Sequence, residues 1–195
     1  MPLLSLQAPR PAQHSTLAAL GSPAAAPVLR SHPGPLTPES PLPVHVLEGI
    51  TRHEGPPPAR LAAWRFLVRS GGRAVAAAET KPTPDGWAFS HFFGGPYLSS
   101  TEQALRQAEA LAGVYQPRLL SVPELYMLTL WLHGDTAADP AEGQPAPTDL
   151  LVPLAPAPPG IAAHRPHRVS DLLPVLTLRL GRVTPLLDAT ASPAA

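Results

Sequence analysis

From Val44 the chain alternates weakly, Val44, Val46 and Ile50 against polar neighbours, the pattern of a short strand. After a loop from His53 to Pro58 the pattern sharpens. LAAWRFLVR, Ser70-Gly71-Gly72-Arg73 and AVAAAET read as two strands about a turn of two glycines, which take the positive φ angles that a two-residue hairpin turn demands. With Gly71-Gly72 as the turn, Val68 is expected opposite Val75 and Phe66 opposite Ala77. Trp64, Phe66 and Val68 then share a buried face, and Arg65 and Arg69 an exposed one. Lys81 to Asp85, with two prolines, connects to GWAFSHFF. Strict alternation there puts Trp87, Phe89, His91 and Phe93 on one face.

The period then changes. Ala104, Leu105, Ala108, Leu111 and Ala112 form one apolar stripe of a helix, with Gln103, Arg106, Gln107 and Glu109 outside it. Ser99 and Glu102 have capping-box spacing, Ser100 is a second candidate cap, and Gly113 stands where a helix end is expected. LYMLTLWL, Leu125 to Leu132, is continuously apolar, so periodicity alone does not separate a buried strand from a buried helix. Pairing it with DLLVPL as a hairpin buries both runs, which favours strand. Ser170-Asp171 opens a last helix, Leu172 to Leu180, with Pro174 near its first turn and Gly181 at its end.

The order β-β-β-β-α-β-β-α lacks βαβ alternation. It predicts an α+β fold: a mostly antiparallel sheet with two helices packed on one face. No internal repeat is visible in the sequence. Proline changes the picture at the N-terminus. The chain has 29 prolines in 195 residues, and Pro9, Pro11, Pro23, Pro27, Pro33, Pro35, Pro38, Pro41 and Pro43 all fall before Val44. Residues 1–43 are therefore expected to be a disordered, Pro-rich arm, 44–183 a single domain, and 184–195 a flexible tail. Pro38, Pro41 and Pro43 would suit a polyproline helix for a partner's groove, though a solvated arm is the simpler reading.

Charge narrows the partners. Formal net charge is zero, which argues against nucleic acid, whose binders draw their affinity from a basic excess. No apolar run approaches the length of a membrane span, and Leu17 to Ala26 lacks the basic start of a secretion signal, so a cytoplasmic protein is expected. The absence of cysteine excludes disulfides, zinc–thiolate sites and a cysteine nucleophile. Lys81 is the only lysine in an Ala-, Pro- and Leu-rich chain, a composition typical of a GC-rich bacterial genome.

The stretch most like a site is FFGGPYLSS. Gly94-Gly95 before Ser99-Ser100 resembles a phosphate loop, but no Lys-Ser or Lys-Thr follows and Pro96 removes an amide. A structural turn with Ser99 or Ser100 capping the helix outweighs an anion site. His91, on an aromatic face, is the one candidate general base; a histidine hydrogen-bonded to backbone is the plainer alternative. His164-Arg165-Pro166-His167-Arg168 reads as a solvated basic loop, because the proline prevents helical presentation of paired ligands. Asp135, Asp139 and Glu142 read as a solvated acidic loop. No metal site and no cofactor are expected. The reading that results is an interaction or accessory module whose partner is another protein, with the Trp131-Leu132-His133 region as its surface. The alternatives are a small enzyme using His91 and, more weakly, an anion carrier using Gly94-Gly95.

Overall fold

A computed structural model describes residues 2–22, 29, 32, 34–47 and 56–188, with backbone alone for 181–188. The elements are α1 (Arg10–Leu20), β1 (Thr37–Leu47), β2 (Ala59–Ser70), β3 (Arg73–Thr83), β4 (Gly86–Phe93), α2 (Pro96–Ala108), β5 (Gln116–Val122), β6 (Met127–His133), β7 (Leu150–Pro153), β8 (His167–Arg168) and α3 (Val169–Asp188). One 3-10 turn, Pro123–Leu125, joins β5 to β6. The eight strands form a single sheet in the order β4-β3-β2-β1-β5-β6-β7-β8. All neighbours are antiparallel except β1 and β5, which run parallel. The fold is α+β with a mixed sheet. Each half is a four-strand meander followed by a helix, so the element order repeats although the sequence does not.

Among the described residues three helices are defined rather than the two expected, and they occupy both faces. On β6, Leu128, Leu130 and Leu132 pack with Ala104 and Ala108 of α2, while Met127 and Trp131 pack with Leu172 and Leu176 of α3. A strand covered on both sides has no polar face, which is why MLTLWL is so apolar; Leu125 and Tyr126 lie in the turn before the strand, and Tyr126 is exposed. Every residue of β6 is buried. It pairs with β7 as expected, Leu130 opposite Val152.

The additional helix, α1, comes from the arm expected to be disordered. It covers the α3 face of the first half, where Ala12 and Leu6 pack with Trp64, Phe66, Val68, Ala76 and Ala78. Its buried residues are Ala12 and Thr16, and the Thr16 hydroxyl donates to the Ala12 carbonyl at 3.0 Å. A face of alanine and threonine leaves no leucine stripe for periodicity to find. β1 also begins earlier than expected, so Pro38, Pro41 and Pro43 lie in a strand instead of a polyproline helix. The first described β1–β5 pair is Val44 with Leu119. Before Val44, β1 is bonded to β2 alone, so prolines cost no ladder bond on the other side. Residues 1, 23–28, 30, 31 and 33 of the expected arm, and residues 189–195 of the expected tail, lie outside the described residues.

The hairpin turns where expected, with Gly71 at φ 57° and Gly72 at φ 79°. Its register slips by one because Val75 is an extra residue: Val68 faces Ala76, and Phe66 faces Ala78. Trp64, Phe66 and Val68 are buried as expected. Arg65 and Arg69 share the other face but are not free in solvent. Arg65 pairs with Glu79 at 2.8 Å, and Arg69 with Glu39 at 3.3 Å and Glu102 at 3.1 Å. A second bulge, at Ser90, breaks the alternation of β4. Phe89 and Phe92 pack on the α1 side, whereas Phe93 lies under the Arg65 guanidinium and His91 sits opposite Glu79. The histidine therefore does not share a face with Trp87 and Phe89.

Two helix boundaries also differ. α2 starts at Pro96 behind Gly95 (φ 96°) and has no side-chain cap, because proline at the first turn and a glycine in the left-handed region set its start. It ends before Leu111 and Gly113. α3 starts at Val169 and runs past Gly181 to Asp188. A glycine inside a helix costs only about 1 kcal/mol relative to alanine, which does not stop it. Among the described residues no helix is long and apolar enough to cross a membrane.

Candidate functional site

The densest group of polar side chains lies inside the protein, at the end of β6. Asp149 precedes β7, and its carboxylate collects four donors. Trp131 Nε1 and His133 Nδ1 donate to Oδ2 at 2.7 Å each, the Ala146 amide donates to Oδ2 at 2.9 Å, and the Gly134 amide to Oδ1 at 2.9 Å. Burial pushes the acid up, but these donors outweigh it and hold Asp149 below the ordinary carboxylate value. An ionised carboxylate only accepts, so His133 carries its proton on Nδ1.

Arg118 of β5 lies beside this group, wholly buried, with its guanidinium 4.9 Å from the centre of the Trp131 ring. It donates to the carbonyls of Asp139 (3.0 Å) and Glu142 and to Gln116 Oε1 at 2.8 Å. Burial lowers its pKa, opposed by the acidic groups around it, Asp149 foremost. The expected solvated acidic loop is thus a fixed strap. Asp135 and Asp139 each turn their carboxylates onto the loop's own amides, of Ala137 at 2.9 Å and Ala141 at 2.8 Å. Gly143 lets the strap close on β2: its carbonyl accepts the Ala59 amide at 2.6 Å, and a Cβ there would run into the Ala59 carbonyl.

His45 of β1 completes the group. It is fully buried, its ring edge-on to Trp131 with centroids 5.3 Å apart, and neither ring nitrogen makes a hydrogen bond of normal geometry. Burial is the main cause of a pKa lowered to about 4; the Arg118 charge adds to it and the Ala141 carbonyl opposes it. His45, Arg118 and Asp149 were not nominated by the sequence. The available signal was Arg118 itself, the single charge of its strand beside the apolar Leu119-Leu120, since arginine is almost never fully buried unless paired.

The second polar pair joins α2 to the segment after β7. Ser100 Oγ lies 3.2 Å from His164 Nε2 and accepts the Ala155 amide at 2.7 Å. Ser99 Oγ donates to the Pro96 carbonyl at 3.1 Å. Neither serine caps the helix. Ser100 anchors the next loop, as does Tyr97, whose hydroxyl is 3.0 Å from the carbonyls of both Tyr126 and Pro156. A serine–histidine pair and a histidine–aspartate pair both exist, but on opposite faces of the sheet, so they do not make a triad.

The remaining candidates are placed as follows. Trp131 and His133 are buried around Asp149 and offer no surface. Gly94 and Gly95 are exposed and turn β4 into α2. His91 is exposed on β4, with Nδ1 3.0 Å from Ser90 Oγ and its ring 5.3 Å from that of Phe93.

An open groove of about 690 Å³ lies at the end of the sheet where the chain begins. Leu3 and Leu6 cross that end, one packing with the α2 cluster and the other with the α1 cluster. The segment is held by two backbone bonds, Leu4 amide to the Tyr115 carbonyl at 2.9 Å and Tyr115 amide to the Pro2 carbonyl at 2.7 Å. Leu3, Leu42 and Leu105 give the groove apolar walls. Arg69 is tied to Glu39 and Glu102 within it, whereas Arg73, Arg106 and Glu109 are exposed along it without an ion pair among the described residues. No protein-family model matches this chain, and no curated protein or solved structure matches it either.

Proposed function

We propose that this protein is an interaction or accessory module that holds a segment of another protein in the groove at the end of its sheet. The observation that carries the reading is the groove: leucine walls beneath two unpaired guanidinium groups, Arg73 and Arg106, with Glu109 the one unpaired carboxylate. Such a lining suits a short segment with apolar side chains and an acidic residue. The internal chemistry supports the same reading. The Asp149 carboxylate, the Arg118 guanidinium and the Ser100 hydroxyl are each spent on bonds that fasten loops to the sheet.

The test places a photo-crosslinking residue at Ser99, exposed and lining the groove, and at Glu124, exposed and outside it, in cells of the native host. A protein captured from Ser99 but not from Glu124, and lost when Arg73→Glu and Arg106→Glu are added, is the expected result. Equal capture at both positions, or capture indifferent to the charge reversal, would overturn the reading.

A further inference from the structure

The sheet ends unequally. On one side the last strand, β8, has two residues and runs directly into α3. On the other, β4 has eight, bonded to β3 along one edge and to no strand on its outer edge among the described residues. An open edge is a row of unmet amides and carbonyls, and soluble proteins commonly guard it with charge, proline or a bulge. GWAFSHFF contains neither a charged residue nor a proline; its one guard is the bulge at Ser90. Trp87, Phe89, Phe92 and Phe93 remain only half-buried although α1 packs over the strand.

We propose that β4 pairs antiparallel with β4 of a second copy of this chain, continuing the sheet across a two-fold axis. Three observations select a second copy. β8 is too short to receive a β4 strand, so an edge-to-edge contact closes on itself and growth stops at two. Formal net charge is zero, so copies do not repel at a distance, and an uncharged edge has no charge with which to select a foreign strand. Self-pairing also sets the half-buried aromatic rings of one copy beside those of the other, a cross-strand contact that stabilises sheets. No β4 residue lines the groove, so this surface is independent of the proposed function.

Sedimentation equilibrium of the full chain is expected to give twice the 20.5 kDa of one chain. Ala88 and Ser90 are exposed on β4, and the double variant Ala88→Lys, Ser90→Lys is expected to sediment as one chain, with an unfolding midpoint equal to that of wild type diluted until it too is a single chain. The absence of cysteine allows a second readout that does not depend on that variant's folding. Ala88→Cys should form a disulfide-linked dimer on mild oxidation while Glu124→Cys, on an exposed turn, does not. A wild type of single-chain mass at every soluble concentration, a dimer that survives the double lysine substitution, or equal cross-linking from both cysteines would each overturn the proposal.

Discussion

Each half of the sheet lays an arginine over an aromatic ring near a carboxylate. In the first half Arg65 sits 4.5 Å from the Phe93 ring centre and bonds Glu79; in the second Arg118 sits 4.9 Å from that of Trp131, near Asp149. The first trio is at the partly covered side of long strands of 12, 11 and 8 residues, and its ion pair keeps 13% and 10% of its side-chain surface. The second is sealed under short strands of 7, 7 and 4 residues by the strap from Gly134 to Thr148. Similar chemistry thus does different work. A partly exposed arginine with one carboxylate steadies a surface, whereas a buried one organises backbone carbonyls that would otherwise lack donors. The half that uses its polar groups internally is closed; the half that does not ends in the open edge of β4.

The largest effect should come from removing the acceptor at the centre of the sealed half. Asp149→Ala leaves Trp131 Nε1, His133 Nδ1 and the amides of Gly134 and Ala146 without their partner. A loss of about 3–5 kcal/mol is expected in urea unfolding. A loss below about 1 kcal/mol would mean the strap is not fastened there.

Next is the pH dependence of His45, which sits in β1 but faces Trp131. Its pKa falls from 6.5 to about 4 on folding. Between those values the unfolded chain binds a proton that the folded chain refuses, so the stability this histidine contributes is complete above pH 6.5 and lost as pH falls toward 4. The full swing is about 3 kcal/mol. His45→Leu should remove that much of the difference in stability between about pH 7 and about pH 4. Equal pH slopes in wild type and variant would show that the ring is solvated.

Arg118→Met keeps most of the stem and removes the donors to Asp139 and Glu142. Two partly buried carbonyls without donors cost about 2 kcal/mol, felt first as opening of the strap. Amide exchange should accelerate at Ala141, whose amide is held within the strap by Asp139, and at Ala59, whose amide is bonded to Gly143. No matching acceleration is expected where β2 pairs with β3, from Trp64 to Thr80. Faster exchange there as well would make the two halves one cooperative unit.

What the sequence disclosed follows the same division. The β2–β3 hairpin was legible because two adjacent glycines admit few turns, and Trp64, Phe66 and Val68 were legible because one face of β2 alternates cleanly. The bulges at Val75 and Ser90 were not, since a bulge is one uncommitted residue and leaves no compositional mark. α1 escaped because it buries alanine and threonine. In the sealed half, Leu125 to Leu132 declared the burial of Met127 to Leu132, though not that Tyr126 is exposed, and not its partners. Asp149 meets His133 across 16 residues and Arg118 meets Glu142 across 24, through a Pro-rich loop that reads as solvated. His133 was singled out as part of a surface, when its imidazole is in fact buried against Asp149.

The smallest effect should be at the first trio, which is mostly but not wholly buried, and it is the sharpest control on the comparison. Glu79→Gln removes the charge that Arg65 Nη2 bonds at 2.8 Å but retains the size and an acceptor oxygen. Arg65 keeps its place over Phe93, and the 13% and 10% of side-chain surface left to solvent offset the lost attraction only in part. A change of about 1 kcal/mol is expected, declining only weakly with added salt because the pair is mostly buried. Asp149→Asn is the matched change in the sealed half: it too keeps size and one acceptor, but it must place a new amide donor among four existing ones. That mismatch has no solvent to absorb it, so its cost should exceed that of Glu79→Gln several-fold and be indifferent to salt. Equal costs, or a salt-dependent loss at Asp149, would show that the second trio is open to water and that burial does not distinguish the halves.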